Sequence, residues 1–271
     1  MTSGRAASEI EIRHCTTIAE YEECVRIEHL TWGEEIAVPS AMFVVAHHTG
    51  GQVIGAFNGH KMVGFTLALT GIHGTGASSG SAAKDEHVFL HSHMTAVLPE
   101  FRDQGVGRRL KLFQRQDALK RGIDLVEWTF DPLELKNAHF NLVRLGAVAR
   151  RLIPNCYGVT KSPLHAGLPT DRLVAEWWLG SERVKSTLAD NPLPLRGRAE
   201  RISLPANLAE IKDSDREAGA RIQADARAQF EKWFAAGYVA TAVETNGATT
   251  DYILEPSANV AGLRLPEIAE N

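Results

Sequence analysis

The sequence predicts an α/β fold of the α+β kind, in which helices flank strands, an antiparallel meander follows the first helix, and a helix and hairpin extend the C-terminus. Three observations predict it. Helical and strand-like apolar spacings alternate along the chain, with no repeat of 20–50 residues that would point to a solenoid or propeller. Turn signals, among them Asn58-Gly59 and Asn246-Gly247, separate β-rich runs at hairpin distance. A helical pattern over 213–236 is followed by Gly237, a natural C-cap, and by a last strand pair.

Each element follows from its residues. Ile10 to Arg13 reads as a short strand, and Thr17 to Trp32 as a helix that Thr17 caps, with Ile18, Tyr21 and Val25 at helical spacing. Met42 to His47, Gln52 to Asn58 and Met62 to Thr70 read as strands of the meander. Gly71 to Ala83, rich in glycine and serine, reads as a mobile loop and a candidate lid. A strand (His87 to Val97), a turn (Leu98 to Gly105), a helix (Val106 to Arg121) and a strand (Leu125 to Phe130) come next. A helix over Leu135 to Leu145 precedes strands at Ala147 to Ile153 and Leu173 to Leu179. Ser181 to Pro205, with Pro192, Pro194 and many charges, reads as a surface connection. The expected organisation is a main domain over 8–180, a connection over 181–205 and an extension over 206–271, either packed on the main sheet or forming a small second domain.

Composition excludes several function classes. The chain has 271 residues, 44% apolar and 23% charged, with a net charge of −4, so it can bury a full core and lacks the basic excess of a nucleic-acid or anionic-membrane binder. Apolar runs such as Ala41 to Ala46 are far below the ~18 residues of a membrane span, and the N-terminus lacks a signal-peptide core. Cys15, Cys24 and Cys156 show no metal-ligand spacing, so no metal is expected and a reducing cytoplasm is the expected compartment.

The most informative segment is Thr95 to Leu110, TAVLPEFRDQGVGRRL. A strand enters a glycine-containing turn that opens a helix, with Val106, Leu110 and Phe113 on its apolar face. Such a turn aims backbone N–H groups and the positive helix end at an anion, while glycine allows close approach. Leu110 breaks a dinucleotide fingerprint, and Arg108-Arg109 after Gly107 breaks a Walker loop. An ordinary glycine turn binding nothing is the alternative.

These residues resemble the central motif of the GNAT superfamily of acyl-CoA-dependent N-acyltransferases. Arg102-Asp-Gln-Gly105-Val-Gly107 matches Arg/Gln-x-x-Gly-x-Gly/Ala after a strand ending in Val97, and Asn137-Ala138 with Leu145-Gly146 matches the second motif. The resemblance covers about 8–180. The runs His91-Ser-His-Met94, Trp128 to Leu133 and Asn155-Cys-Tyr-Gly158 look like a bacterial branch of predicted acetyltransferases, some linked with N-succinylation of amino acids. The resemblance implies a GNAT-like mixed, mostly antiparallel sheet splayed between the strands ending at Val97 and near Phe130. It further implies pantetheine beside Val97, pyrophosphate on the N–H groups of Gln104, Gly105, Val106, Gly107 and Arg108, and Asn137 touching the pantetheine arm. Phe140 would pack nearby, and Arg102 and Arg108 would add charge or stand as solvated surface arginines.

Direct attack of an amine on a thioester needs a proton acceptor and an oxyanion donor. In the family the donor is a backbone amide on the strand before the loop, by position that of Thr95. Strand alternation places His91, His93, Thr95 and Val97 on one face, which resembles the paired histidines that relay the amine's proton in arylalkylamine N-acetyltransferases. Buried structural histidines are the alternative. The tyrosine that many members use as general acid is replaced by Leu142, which leaves unassisted thiolate departure or Tyr157 as donor. Glu127 or Asp131 could hold an ammonium or act as base, and Arg144, Arg150 and Arg151 could hold a carboxylate. The expected activity is transfer of an acyl group, acetyl or succinyl, from acyl-CoA to a small-molecule amine or amino acid, with a homodimer as a possible assembly. A non-catalytic acyl-CoA-binding module is the rival, and it draws its support from Leu142.

Overall fold

A computed structural model describes residues 10–33, 37–74, 87–158, 167–260 and 262–263. The chain divides into two compact units, Met1–Ile123 and Asp124–Asn271. The division falls inside the span 8–180 that the sequence suggested as one domain.

In the first unit four strands, β1 (Ile10–His14), β2 (Gln52–Asn58), β3 (Lys61–His73) and β4 (His87–Val97), pair antiparallel in chain order. Gly59 adopts φ +62° in the turn between β2 and β3, as the Asn-Gly signal requires. Helix α1 (Ile18–Trp32) starts in a capping box, with Thr17 accepting the Glu20 N–H and Glu20 accepting the Thr17 N–H. Residues 42–47, expected as a strand, belong to a helix, α2 (Ser40–His48). Phe43 and Ala46 are buried while Met42 and Val45 are exposed, a three-residue period that the unbroken apolar run concealed. Buried Glu28 joins α1 to the approach to α2 by accepting the Val38 N–H at 2.8 Å, and burial pushes its carboxyl up to about 7. Helices α1 and α2 cover one sheet face, where Ile27, Phe43, Phe65, Leu67 and Met94 pack; α3 (Val106–Lys120) covers the other, packing Val106 and Leu110 on Ile54, Ala56 and Val63. Of the expected loop at 71–83, Gly71 to His73 belong to β3 and residues 75–83 lie outside the described residues.

The second unit holds β5 (Leu125–Phe130), α4 (Leu135–His139), β6 (Val148–Ile153), β7 (Arg172–Trp178), α5 (Glu182–Leu188), β8 (Glu200–Pro205), α6 (Leu208–Ser214), α7 (Arg216–Ala235), β9 (Tyr238–Asn246) and β10 (Thr249–Pro256). Its strands run in the order β5-β7-β6-β9-β10-β8, antiparallel throughout. The expected connection over 181–205 is therefore largely structured: α5 starts at the Ser181 cap, and β8 pairs with β10. The long helix begins later than 213, because Asp215 in extended conformation caps α7 and separates it from α6. The terminal hairpin continues the sheet, since Ala240 on β9 pairs with Ala149 on β6. Its core includes Trp177, whose indole N–H donates to the Leu145 carbonyl at 2.7 Å, and Tyr252, edge-on to Phe230 with ring centroids 5.0 Å apart.

Candidate functional site

In the first unit the site is a strand, a turn and a helix. β4 passes through a 3₁₀ turn (Pro99–Phe101) into two left-handed residues, Asp103 at φ +58° and Gly105 at φ +76°, and Gly105 is the N-cap of α3. Within the helix the Arg109 N–H bonds to the Gly105 carbonyl at 3.0 Å, and no side chain caps this end among the described residues. The N–H groups at the start of a 15-residue helix thus lie at its positive end.

The two loop glycines differ in what they require. Gly105 needs its left-handed backbone. Gly107 does not: among the described residues a Cβ there would meet only Val97 Cγ2, at 4.0 Å, so these surroundings do not demand glycine. The open space beside it suits close approach of a phosphate group to the helix start.

Two expected phosphate contacts also brace the turn. Arg102 Nε donates to the Val97 carbonyl at 3.0 Å, and Gln104 Nε2 donates to the Glu100 carbonyl at 2.8 Å. Val97 is therefore engaged through its carbonyl by the loop itself, and both side chains remain exposed.

β4 carries a bulge that the sequence reading missed. Met94 pairs with Leu67 and Ser92 with Ala68, so His93 is an extra residue without a β3 partner. Simple alternation therefore fails. Opposed residues share a face, which places Thr95 with Thr66, Ser92 with Ala68, and His91 with Leu69 on the α1–α2 side beside Met94. Thr95 and Val97 face α3, and the expected single row from His91 to Val97 is split at the bulge. The His91 and His93 rings stay together, with centroids 6.2 Å apart. Burial first, then His93 and Lys111, push His91 down to about 4; burial also lowers His93, which is nevertheless an exposed residue.

Below Thr95 lies a buried polar cluster. Thr66 Oγ1 is 2.8 Å from Thr95 Oγ1 and donates to the Met94 carbonyl at 3.0 Å, so a side chain takes a backbone acceptor at the bulge. Lys111 Nζ, on α3, donates to Ser92 Oγ at 2.7 Å and to Gln114 Oε1 at 3.1 Å, and burial pushes its ammonium down to about 7. Lys111, Gln114 and Ala118 form a buried stripe at i, i+3 and i+7, the signal that would have revealed this lysine.

In the second unit, α4 runs into a π-helical turn (Phe140–Arg144). Asn137 is exposed on α4, Phe140 is half-buried, and Leu142 is fully buried. Tyr157 is 50% exposed, and its hydroxyl lies 2.7 Å from Thr129 Oγ1 on β5. Glu127 differs from expectation. It is buried opposite Glu176, and Arg151 pairs with it at 2.6 Å, while Arg150 and Arg151 hold Glu176 at 2.9 and 3.4 Å. Two facing buried carboxylates need these arginines for neutralisation, which ties Glu127, Glu176, Arg150 and Arg151 into one ion-pair network. Asp131 accepts the Leu133 N–H at 2.8 Å, the turn-forming alternative to a base.

No family model and no curated protein sequence matches the chain. Solved structures similar to it include the ribosomal-protein-S18-alanine N-acetyltransferase from Escherichia coli (15% identity, 62% of this chain and 92% of that one, TM-score 0.47). Arabidopsis thaliana NAA60 in complex with acetyl-CoA is similar at 13% identity, over 63% of this chain and 99% of that one, with a TM-score of 0.49. Ard1 from Thermoplasma volcanium is similar at 15% identity, over 62% and 95%, with a TM-score of 0.45. Among the described residues no helix is long and apolar enough to cross a membrane, and no three His, Cys, Asp or Glu side chains group as metal ligands.

Proposed function

We propose that this chain is an acyl-CoA-dependent N-acyltransferase acting on a small-molecule amine or amino acid, with acetyl-CoA or succinyl-CoA as donor. The observation that carries the reading is Gly107, a glycine its own protein leaves room to replace, at the uncapped start of α3 in the sequence Arg102-Asp-Gln-Gly105-Val-Gly107. A phosphate-bearing ligand gives that glycine a purpose. Gln104 to Arg108 would hold the pyrophosphate through backbone N–H groups, with Arg102 and Arg108 adding charge. Val97, Asn137 and Phe140 are the proposed contacts to the pantetheine arm.

The proton chemistry falls to the bulged strand. An amine with a lysine-like pKa of about 10.4 must lose a proton before its lone pair can attack a carbonyl. His93, exposed at the bulge, is the better-placed acceptor; His91, pushed down to about 4, is neutral at pH 7 and holds a proton only in passing. The Thr95 backbone N–H is the proposed oxyanion donor, and Tyr157 the proposed proton donor to the leaving sulfur.

The test is release of free thiol from acetyl-CoA and succinyl-CoA across a panel of amines and amino acids, with His93→Ala alongside. A fall in turnover of about 10²-fold or more, with unchanged CoA affinity, is expected. The burial of Leu142, where many acetyltransferases of this kind carry a tyrosine, favours a second reading, an acyl-CoA-binding module without turnover. Binding without thiol release from any amine would select it.

A further inference from the structure

The C-terminal helix reaches the neighbourhood of Tyr157 through a chain of side chains. Arg216, Gln223 and Arg227 lie seven and four residues apart, on one face of α7, and all three bind the segment leading into β7. Arg216 Nη2 donates to the Gly167 carbonyl and Gln223 Nε2 to the Pro169 carbonyl, each at 2.7 Å. Arg227 grips both oxygens of Asp171, at 2.8 Å each, and Asp171 is only 1% exposed. A two-point grip on a desolvated carboxylate fixes direction as well as distance.

That segment in turn shapes the turn at Asn155 to Gly158. Asp171 Oδ1 accepts the Asn155 N–H at 2.9 Å; Thr170 Oγ1 accepts the Tyr157 N–H at 2.8 Å, and the Thr170 carbonyl accepts the Cys156 N–H at 2.9 Å. Asn155 adopts φ +45°, a left-handed turn position that asparagine tolerates, and its Oδ1 accepts the Thr170 N–H at 3.2 Å. The Tyr157 ring then lies with its hydroxyl 2.7 Å from Thr129 Oγ1 and the Arg172 guanidinium 5.4 Å from its centroid.

We infer that α7 is a clamp that sets the Tyr157 phenol, with Arg227 and Asp171 as positioning residues, so that the C-terminal third is part of the catalytic apparatus. The inference rests on the acyl-transfer reading, in which Tyr157 serves the leaving group. As the amine nitrogen bonds to the acyl carbon, the carbon–sulfur bond breaks, sulfur keeps the electron pair and takes the phenol proton, and solvent restores that proton. The amine's two protons, one lost by the ammonium before attack and one by the nitrogen as it becomes an amide, leave through His93 to solvent.

The experiment compares Arg227→Lys and Gln223→Met in the wild-type and Tyr157→Phe backgrounds. Lysine keeps a positive charge beside Asp171 but loses the two-point grip, and Gln223→Met leaves the ion pair intact, so folded protein is available for both arms. A displaced donor lowers kcat by about tenfold to a hundredfold while KM for acyl-CoA stays within about twofold. That loss is expected to vanish in the Tyr157→Phe background, and the amides of Asn155 and Tyr157 are expected to exchange with deuterium faster in Arg227→Lys. An equal loss of kcat in both backgrounds overturns the inference, as does an unchanged kcat. The exchange arm needs no substrate: if wild type turns over no amine, the acyl-transfer reading fails by itself, and unaltered protection of Asn155 and Tyr157 in Arg227→Lys overturns the clamp.

Discussion

Among the described residues a methyl group added at Gly107 would meet only Val97 Cγ2, at 4.0 Å, whereas one added at Gly105 would sit on a backbone at φ +76°. The two glycines therefore separate stability from binding. Gly105→Ala is expected to cost about 1–2 kcal/mol of unfolding free energy through left-handed strain. Gly107→Ala is expected to melt like wild type while weakening CoA binding by an order of magnitude or more, which a paired melt and titration would read. His91 gives a pH signature. Its folded pKa of about 4 lies below the unfolded 6.5, so the unfolded chain takes the proton first as pH falls. Stability from this group is full above 6.5 and declines by roughly 3 kcal/mol toward pH 4. Denaturant melts of His91→Asn should show a flatter slope in that window, and an unchanged slope would place the acid sensitivity elsewhere.

At the scale of elements, the capping box of α1 sets one plain expectation: Thr17→Ala lowers stability by about 1 kcal/mol in a denaturant melt, because the Glu20 N–H loses its acceptor. Elements announced by local chemistry were legible. Thr17, the Asn-Gly turns and Gly105 each act on backbone within a few residues of themselves, so sequence reveals them. α2 was not legible, because Ala-Met-Phe-Val-Val-Ala carries no period until Phe43 and Ala46 find the sheet. β8 was hidden for a similar reason: residues 200–205 become a strand through pairing with β10, from residues nearly fifty positions later. The bulge at His93 is likewise a property of two strands in register. Its consequence for the site is large, since it puts Thr95 on the α3 face and His91 on the other. Glu127 looked available because Arg151, which pairs with it, lies on β6, more than twenty residues away.

For the whole molecule, the extension is built into the second unit as continuing sheet. A chain ending at residue 205 would lose β9 and β10, leave β6 without its β9 neighbour, and leave buried Asp171 without Arg227. An uncompensated buried charge beside an open sheet edge predicts insoluble protein with no cooperative melt; a soluble fragment with a sharp transition would show that the extension is dispensable.

The most direct measurement is a calorimetric titration of the purified protein with CoA, acetyl-CoA and succinyl-CoA, with NAD as control and Gly107→Ala in parallel. Micromolar binding of an acyl-CoA that Gly107→Ala weakens, with NAD silent, is the expected result. Folded wild-type protein that takes up no CoA species would contradict the phosphate-loop assignment and, with it, the proposed acyltransferase.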